Sequence, residues 1–109
     1  MTGKRVRSGV EHRGTILEMT PRERRVLVYV VAGLDHDTIS QALRIHRSTT
    51  ITYIDRFNRM AGARNRNQLA AWAIVTGLVA PAEICDLWLR HGLHELVAWL
   101  DYGEVEVVG

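Results

Sequence analysis

Apolar residues recur at helical spacing along most of the chain. Val26, Leu27, Val30 and Val31 form the first such stripe. Thr20, Pro21 and Glu23 stand ahead of it. A hydroxyl and a carboxylate three residues apart can each bond the other's backbone N–H, and proline at the first helical position loses no hydrogen bond. Gly33 ends this helix. Asp35 then caps a short second helix over about 36–43, with Ile39, Ala42 and Leu43 facing inward, and Arg44-Ile45-His46 is left as a tight connection. The third helix spans about 47–61, with Thr50, Ile54, Phe57 and Ala61 as its buried stripe and Gly62 as its stop. A fourth opens at Asn65-Arg66-Asn67-Gln68 and passes through Leu69, Trp72, Ala73 and Thr76 to Gly77. Pro81 begins a fifth, with Ile84, Leu87 and Trp88 on one face, and Gly92 interrupts it. Leu93, Leu96, Val97 and Leu100 mark a sixth that ends near Gly103, and residues 104–108 alternate like a strand or fray.

The pattern predicts an all-α fold of one domain, and 109 residues at 47% hydrophobic and 24% charged suit one core. Cys85 is the only cysteine, which excludes an intrachain disulfide and a cysteine-rich zinc module. No apolar run approaches the ~20 residues needed to span a bilayer, and the first residues lack the apolar stretch of a secretory signal. A cytoplasmic location is the simplest expectation. The chain divides into a flexible basic arm over 1–18, a helical unit over 19–79 and a helical extension over 80–109.

Charge separates front from back. Residues 1–66 carry 13 of the 14 basic side chains against six acids, a net of +7, and residues 67–109 carry one base against six acids, a net of −5. Thirteen of the 14 bases are arginine, whose planar fork matches phosphates and guanine edges. A basic half is the footprint of a polyanion partner. The arm, with Lys4, Arg5, Arg7 and Arg13, is either a solvated tail or a DNA-contacting segment.

Two short helices joined by a tight turn, the second with a polar outer face, make a helix-turn-helix candidate. With Thr50, Ile54 and Phe57 inward, Ser48, Ile51, Thr52, Asp55 and Arg59 face out, Arg47 leads into the helix and Arg56 lies on its flank. Ser48 and Thr49 sit in the first turn, where hydroxyls and backbone N–H groups meet phosphate. Ile51 can pack on a thymine methyl, Thr52 can bond or pack against base edges, Asp55 can accept from a cytosine amino group, and Arg56 and Arg59 can grip phosphate or guanine. An ordinary amphipathic helix also has a polar outer face.

These residues resemble the LuxR-type (GerE-like) helix-turn-helix family. The resemblance is carried by Thr20-Pro21-Arg22-Glu23-Arg24-Arg25-Val26-Leu27, by Ala32-Gly33-Leu34, by Ile39, Leu43, Ile45 and Thr49, and by Ala61-Gly62-Ala63-Arg64-Asn65-Arg66. It runs without a gap from Met19 to near Val79. It implies a four-helix domain that places its third helix in the major groove of DNA, often paired through the fourth helix to read two half-sites. It also implies that Ile51, Thr52 and Asp55 read bases and that Thr49 touches the backbone. The chain departs from the family at Arg44 (usually glycine), His46 (a small cap), Thr50 (valine), Ile51 (lysine) and Ala61 (leucine). Loss of the lysine and the negative charge of Asp55 imply altered specificity, or a helix-turn-helix kept for protein contact.

The expected function is a stand-alone, sequence-specific DNA-binding transcription regulator, a homodimer that reads the major groove with its third helix. The alternative is a protein-interaction module that binds RNA polymerase, a sigma factor or another regulator. The extension carries Leu87, Trp88, Leu93, Leu96, Trp99 and Leu100, more apolar surface than two short helices bury alone. It either packs back onto the fourth helix around Trp72 or forms a dimer or partner interface with Trp72, Trp88, Leu96 and Trp99. His91 and His94, near Cys85 and Glu95, have Gly92 between them and read as exposed or locally bonded histidines at a helix end, not as metal ligands. Cys85 has no paired base, and no phosphate loop or nucleophile elbow is present, so neither enzymatic activity nor a cofactor is expected.

Overall fold

Local chemistry sets each helix start. In the computed structural model, which describes residues 19–98, Thr20 Oγ1 accepts from Glu23 N at 3.0 Å and Glu23 Oε1 accepts from Thr20 N at 2.8 Å. This reciprocal cap opens helix α1 over Pro21–Val31. Asp35 accepts from Thr38 N at 2.7 Å and opens α2 over His36–Leu43. Helix α3 covers Arg47–Ala61, α4 covers Arg66–Val75 and α5 covers Pro81–Arg90. A helical turn follows at 95–98, and the described residues contain no strand. Asn65 caps α4 by accepting from Gln68 N, and the Gln68 amide answers one residue earlier than expected, at Arg64 N. The basic arm, Trp99, Leu100, Gly103 and the alternating terminal residues lie outside the described residues.

Helix α1 is the hub. Val26, Leu27 and Val30 are almost completely buried, and α1 packs against each of α2, α3, α4 and α5. Ile39 from α2, Ile54 and Phe57 from α3, Leu69 and Ala73 from α4, and Ile84 and Leu87 from α5 join it in one continuous core. The expected stripe of α3 is found, except that Ala61 is half-buried and Met60 is buried.

The extension corrects one expectation. Helix α5 packs chiefly on α1, not on the fourth helix around Trp72. The reason lies in three side chains. Leu87 is buried in the core, the Trp88 indole N–H donates to Ala32 O at 2.8 Å where α1 ends, and the ring of His91 meets that of Tyr29 edge-on at 5.7 Å. A carbonyl at a helix C-terminus lacks an intrahelical donor, so the indole N–H meets an existing need. Arg66 serves the same end of α1, with Nη2 donating to Val30 O and Leu34 O, each at 2.8 Å.

Candidate nucleic-acid interface

A pair of hydroxyls joins the two helices of the motif. Thr50 is fully buried, and its Oγ1 lies 2.8 Å from Ser40 Oγ, which also donates to His36 O at 2.6 Å. Thr50 can therefore occupy a position where an aliphatic residue would otherwise be natural, because α2 supplies its partner. The turn between α2 and α3 closes through Ile45 N to Ser40 O at 3.0 Å. Arg44 takes a left-handed conformation there, φ 57°, and it is the only residue besides glycine with positive φ among the described residues. His46 occupies the N-cap position of α3 without a capping side-chain bond.

This joint turns one face of α3 outward. Arg47, Ser48, Ile51, Thr52, Asp55, Arg56 and Arg59 are exposed, as the spacing predicts, and Thr49 is half-buried. Ile51 keeps 41% of its surface exposed, which is notable for an aliphatic side chain. Thr52 donates its hydroxyl proton to Ser48 O at 2.9 Å and keeps acceptor capacity for an outside donor.

The electrostatics of this face differ from a simple row of cations. Arg47 Nε bonds Asp37 Oδ1 of α2 at 3.0 Å, Arg59 pairs with Asp55 one turn earlier, and Arg56 pairs with Glu23 of α1. Glu23 is the most buried of these carboxylates. The Thr20 backbone N–H holds its carboxyl below the ordinary carboxylate range, with help from the Arg56 charge and against the opposing effect of burial. On the other side of α1, Arg24 Nη2 reaches both carboxylate oxygens of Glu83 at 2.7 and 2.9 Å, and this contact lowers the Glu83 pKa. Sequence reasoning missed both pairings, because neither links residues at helical spacing.

The residues expected at a partner interface separate. Trp72 and Trp88 are half-buried against the chain's own core, Leu96 is 44% exposed, and Trp99 lies outside the described residues. Besides Leu89 of α5, at 45%, exposed apolar surface belongs to Ile74 and Val75 of α4, at 42% and 85%. A signal for them existed, since α4 reads Leu69-Ala70-Ala71-Trp72-Ala73-Ile74-Val75 and only Leu69 and Ala73 are buried. A helix this apolar has more greasy positions than one buried stripe uses. Among the described residues no three of His, Cys, Asp and Glu converge as metal ligands, and no helix is long and apolar enough to cross a membrane.

Two short helices meeting across a tight turn, the second with an exposed polar face, define a helix-turn-helix protein. The model of the bacterial regulatory proteins of the luxR family matches residues 17–73, and the chain belongs to that family, whose members are DNA-binding transcription regulators. No curated protein and no solved structure matches the chain. The family match ends within α4, so Ile74, Val75 and all of α5 lie beyond it.

Proposed function

We propose that this chain is a sequence-specific DNA-binding transcription regulator that reads the major groove with the outer face of α3. The observation that carries this reading is the outward row of Ser48, Ile51, Thr52 and Asp55, on a helix whose opposite side is buried through Thr50, Ile54 and Phe57. Ile51 contacts a thymine methyl, Thr52 a base edge and Asp55 a cytosine amino group, while Arg47, Ser48, Thr49, Arg56 and Arg59 meet the backbone or guanine. Residues 19–79 are the DNA-binding unit, 1–18 a basic arm and 80–109 an added helical segment. The chain pairs as a homodimer, and the exposed Ile74 and Val75 on α4 support pairing through that helix. Its site of action is the cytoplasm.

Selecting bound duplexes from a random pool at roughly physiological salt tests this. The expected result is one enriched motif, palindromic if the chain pairs about a two-fold axis. Folded protein that enriches nothing would contradict the reading. One observation favours a second function: the carboxylates beside Arg47, Arg56 and Arg59 reduce the positive field of α3. This suits a module that binds RNA polymerase, a sigma factor or another regulator. A complex that persists after DNase treatment, from a chain that selects no duplex, is its signature.

A further inference from the structure

The described residues include ten arginines, and their partners sort them. Arg24, Arg47, Arg56 and Arg59 each pair with a carboxylate, and Arg66 is committed to two backbone carbonyls. Arg22, Arg25, Arg44, Arg64 and Arg90 make no ion pair among the described residues. Two of these five share one cleft, and a third adjoins it along the chain. Arg22 and Arg25 line a cleft of about 290 Å³ with Pro21, Val26 and Leu43, and Arg44 directly follows Leu43 in the turn that leads into α3. Arg22, Arg25 and Arg44 are all exposed.

We propose that Arg22, Arg25 and Arg44 form a phosphate-gripping flank beside α3, binding the backbone of the duplex whose bases α3 reads. The inference rests on the DNA-binding reading and adds residues to it. A guanidinium already held by a carboxylate gives up that partner before it can neutralise phosphate, and an unpaired one does not. Among the described residues, the unpaired charge near the motif therefore lies on the start of α1 and on the turn, not on α3 itself. Arg44 adds a second argument. Its left-handed backbone is costly for any residue with a Cβ, and glycine would relieve the cost. Strain kept at an exposed position points to a use for the side chain. Arg64, beyond the far end of α3, serves as a matched control because it too is exposed and without an ion pair among the described residues.

The test is the salt dependence of affinity for the selected duplex and for a scrambled one, by fluorescence anisotropy, on variants checked for folding by circular dichroism. Removing one phosphate-neutralising side chain flattens the slope of log K against log salt by about 0.9. The triple variant Arg22→Gln, Arg25→Gln, Arg44→Gly is expected to flatten it by about two to three units and to keep the preference between the two duplexes. The control variant Arg64→Gln is expected to change it by less than about half a unit. Wild-type binding with an unchanged slope in the triple variant overturns this inference and leaves the DNA-binding reading standing. So does equal flattening per residue in the control variant. Wild type that binds neither duplex overturns both.

Discussion

Adjacent residues of α1 fasten two different helices. Glu23 holds Arg56 of α3, and Arg24 holds Glu83 of α5. The two links are opposite in polarity and unequal in burial. The Glu23 side chain is only 11% exposed and also accepts from Thr20 N, so the α3 link is built into the cap that starts α1. Both members of the α5 link are substantially exposed, 43% and 34%, and α5 instead depends on Leu87 in the core and on the indole of Trp88. Both helices are seated by apolar side chains in the core, but α3 is tied in addition to a mostly buried carboxylate, which is costly to leave unpaired, while the ion pair of α5 is exposed.

Substitutions can break each side of that contrast. The largest effect is expected from Trp88→Ala, which removes an aromatic contact and leaves Ala32 O without its donor. It should lower the unfolding free energy by about 2–3 kcal/mol, below the ~3–5 kcal/mol of a fully buried aromatic because the ring is only half-buried. A urea melt within about 0.5 kcal/mol of wild type would show that α5 is not anchored there. Glu23→Ala removes both the return leg of the cap and the partner of Arg56, and a loss of about 1–3 kcal/mol is expected. Glu23→Gln probes the same link through pH. The native carboxyl titrates below its ordinary value, so its contribution is complete above about pH 4.3 and fades as pH falls through the lowered native value. The glutamine variant should therefore lose stability less steeply on acidification, and an unchanged acid limb would contradict the assigned role. Glu83→Gln is the smallest change, less than about 1 kcal/mol, because an exposed pair is well screened by water and salt.

The five helices were legible because local rules agree with the packing. Thr20, Asp35 and Asn65 cap as their spacing requires, and the stripes of α1 and α3 face the core. The exposure of Ser48, Ile51, Thr52 and Asp55 followed from the same period. What the sequence did not disclose depends on residues distant in the chain. The Ser40–Thr50 hydroxyl pair, the pairing of Arg56 with Glu23 and the seat of Trp88 on Ala32 span 10, 33 and 56 positions, and no helical period encodes them. They also change the meaning of the arginines. Arg47, Arg56 and Arg59 look in sequence like free cations for a polyanion, and in the fold each has a carboxylate partner.

Whether the outer face of α3 meets the duplex is tested most directly by amide-resolved NMR titration of the 109-residue chain with its selected duplex. The largest shifts are expected along Arg47 to Arg59, with Arg22, Arg25 and Arg44 next, while the amides of Ile74 to Arg90 move little or respond only through pairing. Shifts confined to α4 and α5, with α3 silent, would contradict a duplex-reading role for α3.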